Sequence, residues 1–289
     1  MIQPEQAPAA EAEKAVSENM SPAAQTVPEV YIPDLRNINS ILNLEYPRDR
    51  LGGIFWREKD FNSTVYLSFD DGPNMNLMKG NEGFQTISDS ILDTLKVHNI
   101  KAVFFINGQN LEFAVPAERD ELKRVLMRMI NEGHLIGNHS YNHHNLARGI
   151  YADGMNDRED IAREFNMTQA GLNDILEFVY PLVLVRPPYA EPGRSNELDL
   201  WLQSEQQYLI SLQFDSYDYA FKADGNWNEV RLLERMEELL DEQPEGGVLL
   251  LHELESTAAI LPGYIDKIIT EKGFTTGKME DLLIKKYGR

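Results

Sequence analysis

The chain of 289 residues contains no cysteine, no long apolar run and comparatively few basic side chains. Without cysteine the protein forms neither disulfides nor thiolate metal sites, which fits a reducing compartment or an exported bacterial protein. Because no run of about eighteen apolar residues is present, we expect no transmembrane helix. Lysine and arginine total 27 against 47 aspartates and glutamates, a net charge of −20. Such a surface repels nucleic acid and anionic membranes, so neither is an expected partner.

The remaining composition, 42% hydrophobic and 26% charged, suits one large globular domain with an appendage. The beginning of the chain is rich in Ala, Glu, Pro, Gln and Ser and shows no apolar periodicity. We therefore predict that residues 1–45 are a disordered tether and that residues 46–289 form the folded domain. The tether also lacks a basic region followed by an apolar one, so it is not itself a signal peptide.

Short apolar runs alternate with amphipathic segments in the rest of the chain, as is typical of an α/β fold. The predicted strands cover residues 65–69, 102–106, 135–138, 182–186, 208–214 and 248–251, and the predicted helices cover residues 86–98, 120–132, 157–178, 195–206, 228–242 and 261–272. Polar and titratable residues follow these strands directly. Functional residues at the C-terminal ends of successive strands are the mark of a β/α-barrel site.

Two adjacent carboxylates stand at the end of the first predicted strand. Asp70 and Asp71 precede Gly72 and Pro73, which form a strong turn signal. In mid-strand the two side chains would point to opposite faces, but at a bend both can reach one pocket. Two like charges so close are costly unless a cation offsets them. We therefore expect a metal ion or a cationic side chain beside them.

His139 and His143 are the natural partners for such a metal. Their i, i+4 spacing predicts that both imidazoles lie on the same side of a helical turn. Imidazole and carboxylate together form a ligand set that suits zinc. The pattern predicts metal-assisted hydrolysis.

Five ordered segments carry a family resemblance: residues 68–73, 139–143, 186–189, 215–219 and 250–252. They resemble the motifs of the polysaccharide deacetylases, the NodB-homology group of family 4 carbohydrate esterases. The resemblance covers roughly residues 51–283. It implies a distorted, TIM-like (β/α)7 barrel that removes acetyl groups from N-acetylated sugars with a divalent metal.

The resemblance also implies roles for the residues around the metal. Asp71, His139 and His143 would bind it; zinc is our prediction, with nickel, cobalt or manganese as alternatives because such a site selects weakly. Asp70 would be the general base that deprotonates the attacking water. Arg186 would pair with Asp70, keep it ionised and orient it.

On the opposite side of the substrate, His252 would be the general acid that protonates the departing amine. Asp218 would orient His252 and raise its pKa, with Asp215 as the alternative partner. The backbone N–H of Tyr189 would stabilise the tetrahedral oxyanion. Tyr219 stands where the family usually has tryptophan, so the wall that holds the acetyl group or sugar is expected to differ.

The expected activity is N-deacetylation of N-acetylglucosamine residues in a glycan. Peptidoglycan is the first choice, because an exported bacterial enzyme would meet the cell wall. The alternatives are a chitin-oligosaccharide deacetylase, an O-deacetylase of acetylated xylan, and a glycan-binding pseudoenzyme. We accordingly expect a secreted or periplasmic protein whose signal peptide has been removed. The sequence makes no prediction about its oligomeric state.

Overall fold

The computed structural model describes residues 34–46, 61–79, 85–146, 158–190, 196–223 and 229–288. Its strands are β1 (Thr64–Gly72), β2 (Val103–Ile106), β3 (Leu135–Asn138), β4 (Leu184–Val185), β5 (Tyr208–Leu209), β6 (Phe214–Asp215), β7 (Gly246–His252) and β8 (Thr275–Thr276). Its α-helices are α1 (Arg36–Leu42), α2 (Ile87–Val97), α3 (Pro116–Asn131), α4 (Arg158–Leu176), α5 (Asn196–Ser204), α6 (Asp218–Ala223), α7 (Glu229–Glu242), α8 (Glu255–Gly263) and α9 (Met279–Tyr287). No helix in these ranges is long and apolar enough to cross a membrane.

The strands form one parallel sheet in the order β5-β4-β3-β2-β1-β7-β6, and β8 pairs with the start of β1. In a flat sheet the outermost strands, β5 and β6, would lie about 29 Å apart, since neighbouring strands are about 4.8 Å apart. The chain from Leu209 to Phe214 can span at most about 18 Å. The sheet must therefore curl, which brings its two ends together. This confirms the predicted distorted (β/α)7 barrel.

β1 lies at the centre of this sheet and buries Val65, Leu67 and Phe69 in the main core. On the outer face of the sheet, the helices pack their apolar sides against the strands. In α2, for example, the Thr86 hydroxyl accepts the backbone N–H of Asp89 at 3.0 Å and caps the helix. Ile91 in the same helix is fully buried. The apolar spacing of α2 thus explains both its helical form and the face it presents to the core.

Four of the predicted strands, those at residues 65–69, 102–106, 135–138 and 248–251, are confirmed by β1, β2, β3 and β7. Of the predicted strand 182–186, only Leu184–Val185 forms β4. The single strand predicted at residues 208–214 is wrong. The chain first forms β5, which pairs with β4, and then leaves the sheet at residues 210–213. It rejoins the sheet as β6, which pairs with β7 at the other end of the strand order.

Among the helices, the prediction at residues 261–272 is wrong in its bounds. α8 begins earlier, at Glu255, and a π-helical turn, Tyr264–Thr270, follows it. The sequence analysis did not predict α1, α6, α9 or β8. The other five predicted helices are confirmed by α2, α3, α4, α5 and α7, with small differences at their ends.

The predicted boundary between residues 45 and 46 is also wrong, because α1 belongs to the folded domain. Ile38 and Ile41 are fully buried in the main core. The Asn37 amide donates to the carbonyl oxygens of Gly133 and His134 at 3.3 and 3.1 Å. Burial of these apolar side chains therefore fixes α1 on the domain, although the polar composition of the surrounding sequence led us to assign it to the disordered tether. The prediction for residues 1–33 lies outside the described residues.

Candidate metal centre and active site

The structure brings the sequence-predicted site residues together at the C-terminal edge of the sheet. They are Asp70 and Asp71 at the end of β1, His139 and His143 after β3, Arg186 and Tyr189 after β4, Asp218 and Tyr219 after β6, and His252 at the end of β7. β1 and β7 are paired in register, so that Asp70 and His252 are direct neighbours across the two strands. A predicted base and a predicted acid thus face the same opening.

Asp71, His139 and His143 form the candidate metal site. Asp71 Oδ1 lies 3.6 Å from His139 Nε2 and 3.3 Å from His143 Nε2. The three ligand atoms all lie within 4.8 Å of one another. Asp71 Oδ1 is buried and accepts no hydrogen bond, which leaves a carboxylate oxygen to be satisfied. One carboxylate oxygen and two imidazole nitrogens suit a divalent cation such as zinc, so the residues fit the implied metal.

His139 is held in the form that a metal requires. Its Nδ1 lies 2.5 Å from the carbonyl oxygen of Arg186, and the bond requires Nδ1 to carry the proton. The Nε2 lone pair is therefore the one that faces Asp71. Burial lowers the pKa of His139 to about 3, although the charge of Asp71 acts in the opposite direction. The ring is thus neutral, as a metal ligand must be.

The helical turn predicted for His139 and His143 is wrong. A loop follows β3, and two of its residues, Ser140 (φ 71°) and His143 (φ 56°), adopt left-handed backbone conformations. The carboxylate of Glu164, on α4, accepts the backbone N–H groups of Tyr141 and Asn142 at 3.1 and 2.8 Å. The loop is therefore held by a buried acid that the sequence analysis did not single out.

Asp70 is paired with Arg186 inside the protein. Arg186 Nη1 donates to Asp70 Oδ1 at 2.7 Å and to the Ser68 hydroxyl at 2.9 Å, and its Nε donates to the Ile210 carbonyl at 3.1 Å. Its guanidinium also lies over the ring of Phe105, 4.3 Å from the centroid. Burial raises the pKa of Asp70, and the charge of Arg186 opposes that rise. A carboxylate oriented in this way and more basic than usual suits a general base near neutral pH.

His252 is paired with Asp218 rather than with Asp215. Its Nδ1 lies 2.6 Å from Asp218 Oδ1, and its backbone N–H donates to Asp218 Oδ2 at 2.8 Å. Burial lowers the pKa of His252, but the hydrogen bond and charge of Asp218 outweigh this effect. Together with Asp70 and Asp71 they raise the pKa to about 9. His252 therefore carries a proton at neutral pH.

Asp218 is fully buried and is satisfied by several donors. Besides the two from His252, the Thr257 hydroxyl donates to it at 2.6 Å and the Tyr219 backbone N–H at 2.9 Å. Burial raises the pKa of Asp218, but these hydrogen bonds and the nearby imidazolium hold it below its usual value. Asp215 instead accepts the Tyr217 backbone N–H at 2.9 Å.

Exposed aromatic rings border the opening. The Tyr189 ring lies 4.9 Å from that of His143, and the Tyr219 ring lies edge-on to His252 at 5.2 Å. Tyr217 lies beside Tyr219 at 5.9 Å. All three tyrosines are exposed.

Of the ten described non-glycine residues with positive φ, five belong to these site loops: Asp71, Ser140, His143, Tyr189 and Tyr217. Backbone strain of this kind concentrates at functional sites.

A sequence profile described as polysaccharide deacetylase matches residues 58–207, and the chain belongs to this family. It is 32% identical over 167 residues to a peptidoglycan-N-acetylglucosamine deacetylase of Bacillus cereus, covering 57% of this chain and 50% of the relative. It is 28% identical over 262 residues to the peptidoglycan-N-acetylmuramic acid deacetylase PdaC of Bacillus subtilis, covering 88% and 47%. The chain thus spans about half the length of these curated relatives.

Among solved structures, the chain resembles a CE4 esterase of Streptococcus mutans with a TM-score of 0.60 at 23% identity. The match covers 83% of this chain and 93% of the esterase. At this identity the likeness concerns the fold, and it agrees with the curled parallel sheet described above.

Proposed function

We propose that the protein is a metal-dependent deacetylase that removes N-acetyl groups from a glycan, with N-acetylglucosamine residues of peptidoglycan as the first substrate. One observation carries the proposal: three groups lie together at one edge of the sheet. They are three residues that could hold a metal, a carboxylate paired with arginine, and a histidine paired with aspartate. The peptidoglycan deacetylases among its relatives support the substrate class. Action on mature peptidoglycan would require the protein to lie outside the cytoplasm.

Asp71, His139 and His143 would hold the divalent cation, and zinc is our first choice. When bound there, such a cation would polarise the acetyl carbonyl and make a nearby water more acidic. The neutral state of His139 and the unsatisfied oxygen of Asp71 are the features of this chain that support it.

Asp70 takes the first proton of the reaction. Its carboxylate removes a proton from the water that attacks the acetyl carbon, and Arg186 keeps that carboxylate oriented. The carbonyl oxygen becomes an oxyanion as the new C–O bond forms. The backbone N–H of Tyr189 would donate to this oxyanion; one such donor is typically worth about 3 kcal/mol.

His252 supplies the second proton. The amide nitrogen is a poor leaving group until it is protonated, and His252 carries a proton at neutral pH because Asp218 stabilises the imidazolium. Proton transfer from Nε2 to the nitrogen accompanies C–N cleavage, and the products are acetate and a free amine. The exposed rings of Tyr189 and Tyr219 would contact the sugar beside the acetyl group.

The proposal is tested by measuring acetate released from peptidoglycan, a chitin oligosaccharide and acetylated xylan, with and without a chelator. We expect release from peptidoglycan that stops with chelator and returns with added zinc. In the same assay Asp70→Asn should release far less acetate than its control Asp120→Asn, which changes an exposed acid on α3. Release from chitin alone or from xylan alone would favour one of those alternatives. Glycan binding without release from any substrate would favour a pseudoenzyme.

A further inference from the structure

Glu253 is a buried acid beside the site that none of these steps uses. It follows His252 directly, just beyond the end of β7, and its carboxyl group contacts Ser88 and Asn74. The residue is 1% exposed, and one carboxyl oxygen, Oε1, has no hydrogen-bond partner. Burial raises the pKa of Glu253 to about 7, against the hydrogen bonds that it accepts. A group so costly to bury calls for a reason.

The contacts of Glu253 connect three elements. Its Oε2 accepts a short hydrogen bond from the Ser88 hydroxyl, in the first turn of α2, and a longer one, 3.3 Å, from the Asn74 backbone N–H. Its carbonyl oxygen accepts from the Asn74 side-chain amide at 2.7 Å. Its backbone N–H donates to the Asp70 carbonyl at 3.1 Å. The end of β7 is thereby fastened to both sides of the turn that follows β1.

The carboxyl group also fills the space beneath that turn. A Cβ atom added at Gly72 would lie 1.6 Å from Glu253 Oε1, so a side chain at residue 72 would have to displace the carboxyl group. On the other side, the Asn110 amide donates to the carbonyl oxygens of Asp71 and Gly72 at 2.7 and 3.1 Å. Asp71 itself has φ 64°, an uncommon backbone conformation for a residue other than glycine.

We propose that Glu253 is a positioning residue that fixes the turn of residues 71–74 and so aims the Asp71 carboxylate at His139 and His143. The inference rests on the proposed function, because it takes Asp71 to be a metal ligand. Glu253 acts through its length and its hydrogen bonds rather than through charge. Glutamine has the same length and an oxygen that can accept from Ser88 and Asn74, so it should replace Glu253. Alanine removes both the support and the contacts.

The test is the zinc affinity of the full chain, measured by competition with a chromophoric chelator. We expect Glu253→Ala to weaken zinc binding about 10- to 100-fold, the usual effect of losing a residue that orients a metal ligand, and Glu253→Gln to stay close to wild type. Turnover should follow zinc affinity. The matched control is Glu280→Ala, which removes another buried glutamate, on α9, a helix that contributes no residue to the candidate site. Thermal unfolding of the metal-free variants shows whether each one folds.

If Glu253→Ala does not fold, Ser88→Ala removes a partner of the same carboxyl group and should weaken zinc binding more than Glu280→Ala does. Wild-type zinc affinity in Glu253→Ala, or in Ser88→Ala where that variant is needed, would overturn the inference. So would a loss in Glu253→Gln as large as in Glu253→Ala. A wild-type chain that binds no zinc would overturn the proposed function as well, so the two failures are distinguishable.

Discussion

His139 and His252 are the same residue type at the same edge of the sheet, the first buried and the second partly buried, yet their pKa values are shifted in opposite directions. Burial alone lowers the pKa of both. Nδ1 of His139 meets the backbone carbonyl of Arg186, whereas Nδ1 of His252 meets the carboxylate of Asp218. The first pKa falls to about 3 and the second rises to about 9. A neutral partner therefore leaves the imidazole uncharged, as a metal ligand must be, and a charged partner leaves it protonated, as a general acid must be.

The largest expected effect is the loss of bound metal, which should distinguish substitution of His139 from substitution of His252. His139→Ala should lose stoichiometric metal, and with it turnover, because one of three ligands is gone. His252→Ala should keep its metal and lose turnover only, because the missing group is the acid. Elemental analysis of both purified variants, alongside an assay of acetate release, measures this. Unchanged metal content in His139→Ala would refute the ligand assignment, and loss of metal in His252→Ala would refute the division of roles.

Asp70→Asn should have the next largest effect. It removes the base while leaving the three metal ligands in place, and loss of a general base usually lowers turnover about 10²- to 10⁴-fold. Metal content should be unchanged. Arg186→Ala should lower kcat more than it raises KM, since the arginine touches Asp70 and not the opening. If Asp70→Asn releases acetate at nearly the wild-type rate, the carboxylate is only structural.

A smaller effect is expected when the partner of His252 is changed instead of the histidine. With the pKa of His252 near 9, activity should fall on the alkaline side as the imidazolium loses its proton. In Asp218→Asn that alkaline limb should move to lower pH, because the stabilising charge has gone while burial remains. Asp215→Asn should leave the limb nearly in place. A limb that moves in Asp215→Asn alone would assign the partner to Asp215.

The smallest effect concerns stability. The pKa of His252 rises from its ordinary 6.5 in the unfolded chain to about 9 in the folded one. Its contribution is thus fully present below pH 6.5 and is lost as pH rises through 9, at most about 3 kcal/mol. Urea unfolding at pH 7 and at pH 10 should therefore show a larger loss of unfolding free energy in wild type than in His252→Gln. Equal losses would show that the pair with Asp218 leaves the pKa unshifted.

Much of the fold and the site could be predicted because short apolar runs ended in polar residues. β1, with buried Val65 and Leu67 before two aspartates, is readable from local pattern alone, and so is β7 before His252. The short strands near the ends of the curled sheet were harder to predict from the sequence. β5, β6 and β8 have two residues each, and their positions depend on closure of the sheet instead of on local sequence.

The sequence analysis missed three residues near the site. Their side chains form hydrogen bonds with the backbone of loops that are distant in sequence. Glu164, Glu253 and Asn110 bond to loops far away in the chain, and no local spacing indicates such partners. A weak signal was present for Glu253, since it directly follows a buried strand, as the other titratable residues of the site do. The left-handed conformations of Ser140 and His143 had no signal, because neither is glycine. The i, i+4 rule therefore placed the two imidazoles correctly near each other but for the wrong reason.

β1 pairs with β2 on one side and with β7 on the other, and it also receives β8 at its start. Amide protons in such a strand exchange with solvent only when large parts of a protein open together. Asp70 and Asp71 lie at the end of this strand, so we expect the two carboxylates to move only when this well-protected part of the domain opens. The exposed rings of Tyr189 and Tyr217 lie outside this strand. We therefore expect changes to these two side chains to alter contacts with the proposed glycan while leaving the positions of the two carboxylates unchanged.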